Sequence, residues 1–188
     1  MRIALSGSHA VGKSTLIAEL HDKLPAYETV DEPYYELLDE GHLFADRPSA
    51  EDLLRQLERS IAQLTTSRAA DVLYDRCPAD FLAYLSALKE HDCVREWITP
   101  ATDALMTLDL IVFVPIEQPD RIADFAGAGR LRRDVDTLMR EMLLADSFGF
   151  GRPVIQVHGS PGTRAKLVLA ALRASGNRGS FVRGLTRS

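Results

Sequence analysis

The chain has 188 residues, 46% of them hydrophobic and 26% charged, the composition of a one-domain globular protein able to bury a core without disulfides or a structural metal. A net charge of −5 argues against a generally basic nucleic-acid surface. No apolar run approaches the ~18 residues of a membrane span, and the first strand starts too early to leave room for a secretion signal, so a cytoplasmic protein without a membrane partner is expected.

In chain order, Ile3-Ala4-Leu5 is a short apolar run of the kind found in a buried parallel strand. It leads into Gly7-Ser8-His9-Ala10-Val11-Gly12-Lys13-Ser14, which fits the phosphate-loop pattern G-x-x-x-x-G-K-[ST]. Leu16, Ile17, Leu20 and Leu24 follow at helical spacing, so the loop joins a strand to a helix start. Gly7 and Gly12 allow a tight backbone whose amides point inward, and the helix adds its positive end to the same spot. The loop, from Gly7 through His9, Ala10, Val11, Gly12 and Lys13 to Ser14 and Thr15, is therefore expected to bind a nucleoside triphosphate. Lys13 would neutralise β/γ-phosphate charge and Ser14 would place its hydroxyl on Mg²⁺.

Tyr27 to Val30 reads as a second strand ending at Asp31-Glu32-Pro33, and Tyr34 to Glu40 as a short helix stopped by Gly41. Ser49 with Asp52 three residues on is a capping-box-like start for a long helix carrying Leu53, Leu54, Leu57, Ile61 and Leu64 on one face, to about Ala70. Val72-Leu73-Tyr74 is a third strand closing on Asp75-Arg76; a helix over Phe81 to Leu88 and another around Trp97, stopping near Pro100, follow. Leu110 to Val114 has the unbroken apolar pattern of a central parallel strand. The charged section 117–148 contains Gly127, Gly129 and several arginines and reads as a lid. Val154 to Val157 is the last strand and Arg164 to Ala174 the last helix. Residues 175–188, with Arg178, Arg183, Arg187 and no acid, read as a flexible basic tail, or else as an arm contacting a second subunit of a homodimer or a strand added at the sheet edge.

Alternating strands and helices predict an α/β fold: a doubly wound parallel five-stranded sheet with helices on both faces. Ligands in such sheets bind beyond the carboxyl ends of the strands, where the loop, Asp31-Glu32 and Asp75-Arg76 should converge. Asp75 stands where a Walker-B-type carboxylate holds Mg²⁺, directly or through water; a helix N-cap is its alternative. Pro33 keeps Glu32 extended, placing its carboxylate to orient or deprotonate an acceptor hydroxyl. Arg76 would clamp phosphate or pair with a neighbouring acid. Asp80 and Gln56 are candidates for binding the acceptor, with Gln63 beside Gln56 on the long helix. In the lid, Arg130, Arg132 and Arg133 would gather charge on the transferring group, with Arg130 and Arg133 taken as catalytic; a charged surface helix with pairs such as Asp136–Arg140 is the alternative. Cys77 and Cys93 form no framework and read as free thiols. The histidines show no metal-ligand spacing, which argues against zinc.

Together these residues resemble the P-loop nucleoside and nucleotide kinases. Glu32-Pro33 looks like the Glu-Pro of deoxynucleoside kinases, whose glutamate is the base. Asp75-Arg76-Cys77 is similar to their Glu-Arg-Ser and to the Asp-Arg of thymidylate kinases. Asp75 through Tyr84 and Gly159-Ser160-Pro161-Gly162-Thr163-Arg164 also look like segments of small ATP-binding domains related to the ribosylnicotinamide kinase domain, which implies adenine packing near Pro161 and Arg164. The resemblance spans 1–174 and implies the three-layer P-loop NTPase fold and an ATP- and Mg²⁺-dependent phosphotransferase acting on a hydroxyl of a nucleoside-like small molecule. A partner-coupled ATPase is the alternative. A GTPase is poorly supported, since no Asn/Thr-Lys-x-Asp segment follows Val114.

Overall fold

A computed structural model describes residues 1–120 and 128–183, with side chains over 1–120 and 129–174. Its centre is one five-stranded parallel sheet in the order β2-β3-β1-β4-β5. The strands are β1 (Arg2–Ser6), β2 (Glu28–Val30), β3 (Val72–Asp75), β4 (Leu110–Phe113) and β5 (Val154–Gln156). Side chains alternate between two cores. Ala4, Val72, Tyr74, Ile111 and Phe113 face one, while Ile3, Leu5, Leu73, Leu110 and Val112 face the other. Burial on both faces is why these strands read as continuous apolar runs.

The second of those cores is covered by α1 (Lys13–His21) and α7 (Pro161–Arg183), through Leu16, Leu20, Ala165 and Val168. The first is covered by α3 (Ala50–Thr66), α4 (Pro78–Ala87), α5 (His91–Leu105) and α6 (Ala128–Met139). α2 (Pro33–Asp39) packs on α3 and carries Pro33 at its first turn, where a missing N–H costs nothing.

Several boundaries differ from the expected ones for identifiable reasons. α3 is capped as read, with Ser49 Oγ accepting from the Asp52 N–H, but ends at Thr66, where Arg2 donates to the carbonyls of Leu64 and Ser67. α4 starts at Pro78, not Phe81, because Cys77 caps it and the Asp80 carboxylate accepts from the Cys77 N–H. α5 runs through Pro100 to Leu105. Complete burial of Ala101, Ala104 and Leu105 offsets an interior proline that costs about 3 kcal/mol. The helix expected over 164–174 is longer at both ends: Ser160 Oγ accepts from the Thr163 N–H and Pro161 opens the first turn, while no later proline stops it. Its backbone continues through residues expected to form a flexible tail, and 184–188 lie outside the described residues.

The described part of the section read as a lid belongs to the body. Residues 121–127, including Arg121 and Gly127, lie outside the described residues. From 128 on, α6 and the π-helical turn Arg140–Leu144 are built into the core, with Val135, Met139 and Met142 buried. α6 packs directly against α4.

Candidate active site

The loop between β1 and α1 is shaped by crowding beneath it. A Cβ on Gly7 would lie 2.3 Å from the Val114 carbonyl oxygen, so no side chain fits there. Gly12 adopts φ 88°, in the left-handed region that glycine tolerates. Lys13 is buried and donates to the carbonyls of Gly7 and Ser8 at 3.0 Å each. Burial, with Arg76 adding to it, pushes the Lys13 ammonium down to about 8.

Much of the loop is held from below by side chains. Asp80 accepts from the Gly7 N–H at 3.0 Å and Tyr84 from the His9 N–H at 3.0 Å. Arg132 donates to the His9 carbonyl at 2.9 Å, and Arg164 to the Val11 carbonyl at 2.6 Å. Arg164 also pairs with Glu117 at 2.8 Å, and Glu117 accepts from the Gly159 N–H. These bonds tie the ends of β4 and β5 to the phosphate loop.

On the other side, Ser14 Oγ donates to Asp75 Oδ2 at 2.8 Å. Asp75 Oδ1 is buried without a hydrogen-bond partner among the described residues, and burial holds its carboxyl above the usual range against the pull of Lys13 and Ser14. A hard cation suits this set: Mg²⁺ takes one or two protein oxygens and fills the rest of its shell with phosphate and water. Among the described residues there is no cluster of three or more His, Cys, Asp or Glu able to hold a metal by themselves.

Arg76 pairs with a neighbouring acid, Glu32, at the strand ends, the alternative to a phosphate clamp. Arg76 Nε donates to Glu32 Oε1 at 2.5 Å, and a terminal nitrogen donates to the Gly7 carbonyl at 3.0 Å and to Asp80 Oδ1 at 3.2 Å. Arg76 reaches this position from a left-handed backbone, φ 79°, immediately after β3. Burial disfavours its charge, but Glu32 and then Tyr84 and Asp80 outweigh that and raise its pKa.

Two cavities flank the loop. One, about 350 Å³, has Ser14, Glu32, Tyr35 and Asp75 in its wall, with Asp31 and His21 among the other lining residues. The other, about 520 Å³, is lined by Ala10, Val11, Glu117, Arg132, Gly159 and Pro161. The sequence-derived candidates thus divide. The residues from Gly7 to Thr15, with Glu32, Asp75, Arg76, Pro161 and Arg164, gather at the strand ends.

Asp80 does not reach out to an acceptor: it is wholly buried, and its two oxygens take Ser6 Oγ, the Gly7 and Cys77 N–H groups and Arg76. Gln56 is buried and bonds within its own helix to the Asp52 carbonyl, while Gln63 binds Glu36 and the Asp31 carbonyl. Arg130 is 86% exposed beside Asp134 and Arg133 is exposed; Arg132, between them, points at the loop. Tyr84 and Glu117 carry no motif of their own, and only the folded chain brings them to the loop.

A parallel sheet in this order, a phosphate loop after its central strand and a carboxylate ending the next strand define a P-loop nucleotide-binding domain of kinase-like fold. A family model described as an AAA domain matches residues 2–164, and the chain belongs to that family. The fold is similar to deoxyadenosine kinase from M. mycoides with bound dATP (TM-score 0.64, 16% identity, 92% of this chain and 100% of that chain). It is also similar to NadR protein in complex with NR (TM-score 0.67, 17% identity, 92% of this chain and 50% of that one). Thymidylate kinase from Ehrlichia chaffeensis is a third such structure (TM-score 0.63, 12% identity, 92% and 97%). No curated protein sequence matches the chain. Among the described residues no helix is long and apolar enough to cross a membrane.

Proposed function

We propose that this protein is an ATP- and Mg²⁺-dependent phosphotransferase that moves the γ-phosphoryl group to a hydroxyl of a nucleoside-like small molecule. The observation that carries this reading is the pair of cavities bordering one phosphate loop, one at Ser14 and the other at Ala10 and Val11, with Glu32 and Asp75 together in the wall of the smaller. A domain that only binds or hydrolyses nucleotide needs one cavity; transfer to an alcohol needs a second beside it.

In this reading the nucleotide base occupies the cavity beside Gly159 and Pro161, with Arg164 beneath the loop, and the phosphates lie over residues 7–15. Bound Mg²⁺, held by Ser14 and Asp75, would screen phosphate charge. Glu32 orients the acceptor hydroxyl and receives its proton as the oxygen attacks phosphorus. Lys13 and Arg76 stabilise charge on the transferring group. The kinases of similar fold support a nucleoside or nucleotide acceptor.

A mass-shift screen of nucleosides and related alcohols incubated with protein, ATP and Mg²⁺ tests the reading. Addition of one phosphoryl group to an acceptor is the expected result. ATP consumed at the same rate with or without every acceptor, and no phosphorylated product, would favour a partner-coupled ATPase. One observation keeps that second reading in play: the exposed Arg130 and Arg133 do not close over the site in this structure.

A further inference from the structure

His9 lies at the tip of the phosphate loop with both its backbone and its ring attached to one buried hydroxyl. The Tyr84 hydroxyl oxygen is 3.0 Å from the His9 N–H nitrogen and 3.0 Å from His9 Nδ1. The backbone N–H donates to the hydroxyl oxygen, and among the described residues His9 Nδ1 is the one acceptor within hydrogen-bond reach of the hydroxyl, so its single proton turns there. Nδ1 then carries the lone pair, and the ring proton sits on Nε2, at the opposite edge from Tyr84.

The surroundings favour the same neutral ring. Burial comes first, then Arg132 from α6, Arg76 ahead of α4 and Lys13 from α1, opposed by Glu32 at the end of β2; together they hold the imidazole below its usual range. Tyr84 is itself fixed by position, only 6% exposed, with the Arg76 guanidinium 5.6 Å from its ring centre. The next two residues, Ala10 and Val11, and Arg132, which grips the His9 carbonyl, line the nucleotide cavity.

We propose that Tyr84 is a positioning residue that locks His9 as an uncharged imidazole with its proton on Nε2, giving the loop tip a directed hydrogen-bond donor for the polyphosphate of a bound nucleotide. Among three cations, a fourth charge would repel its neighbours, whereas a neutral donor adds direction without that repulsion. The inference rests on reading the loop as a nucleotide site.

Long-range ¹H–¹⁵N correlation spectra of the full-length labelled protein test it, with His9→Asn identifying the resonance. At neutral pH the His9 signals should be those of the Nε2–H tautomer. Saturation with AMP-PNP, followed by calorimetry on the same sample, should move the Nε2–H signal. Tyr84→Phe should populate the Nδ1–H form and weaken AMP-PNP binding about fivefold, the worth of one ordinary hydrogen bond. An Nδ1–H tautomer for His9 in the unmodified protein overturns the proposal. AMP-PNP bound with the His9 signal unmoved overturns the donor role alone. A sample that binds no AMP-PNP overturns the nucleotide reading itself and the donor role with it.

Discussion

The Ser14 hydroxyl donates to Asp75 at 2.8 Å, fastening the first turn of α1 to the end of β3, while the second Asp75 oxygen is buried with no partner among the described residues. The first residue follows a glycine-rich loop and the second ends a strand about sixty positions later. The parallel register that sets Leu5 opposite Asp75 brings them within reach.

Replacing Asp75 by Asn should therefore raise the Mg²⁺ concentration needed for half-maximal turnover by about 10–100-fold, the usual effect of weakening a metal's oxygen shell. The side chain keeps its size, so folding should persist. A magnesium titration of phosphoryl transfer checks this; an unchanged midpoint would remove Asp75 from the metal site.

Lys13 makes a prediction about stability as well as catalysis. Its folded-state pKa of about 8 lies below the ordinary 10.5, so the unfolded chain binds the proton more tightly. Each unit is worth about 1.4 kcal/mol, a cost to the ligand-free fold of roughly 3 kcal/mol at neutral pH. Stability from this group rises with pH between about 8 and 10.5 and is greatest above that window. Lys13→Met should melt at higher temperature than the parent near pH 7 without nucleotide, and the difference should shrink toward pH 10. The same variant should lose nucleotide-dependent turnover. Parallel melting curves across that range, with turnover assays, check both outcomes.

Glu32→Gln should leave nucleotide affinity within about twofold and reduce kcat by about 10²–10⁴, the usual contribution of a general base. Binding calorimetry and initial rates on the same preparation separate the two effects. Unchanged turnover would make Glu32 merely the partner of Arg76.

Asp52 organises the connection from α2 to α3. It accepts from Ser49 Oγ and the Ala45 N–H and lies 2.8 Å from His42 Nε2. Burial alone would raise its pKa, but the hydrogen bonds from Ser49, His42 and Ala45 outweigh it and hold the carboxyl below the usual range. A folded pKa below the unfolded one gives stability that is present above about pH 4 and is lost as pH falls through the folded value. Asp52→Asn should cost about 1–2 kcal/mol at pH 7 and progressively less toward pH 3. Urea unfolding at several pH values measures the gap between the two proteins.

The fold was legible because its signals are local. The apolar runs at Ile3 and Leu110, the capping pair Ser49 and Asp52, and the glycines of the loop each impose their structure within a few residues. The convergence of the loop, Asp31-Glu32 and Asp75-Arg76 was also readable, because parallel strands deliver their ends to one side, but the pairing of Glu32 with Arg76 was not. Nor was partner choice among buried polar groups. Asp80 looked free to face a cleft, yet it is consumed by Ser6, Gly7, Arg76 and Cys77. Among three neighbouring lid arginines, only helix phase decides that Arg132 points inward, and that phase is set by burial of Val135 and Met139. Pro100 misled for a related reason: local preference marks a stop, and long-range burial overrides it.

The bonds from Asp80, Tyr84, Arg132 and Arg164 to the loop make a rigid jig, assembled from helices on both sides of the sheet. A segment clamped at alternate points has little freedom left to surrender, so most of its ordering entropy is spent during folding and not at capture of the ligand. A guest arriving there meets a finished mould, and its affinity should depend far more on how well its charge and shape match that mould than on any rearrangement of the backbone.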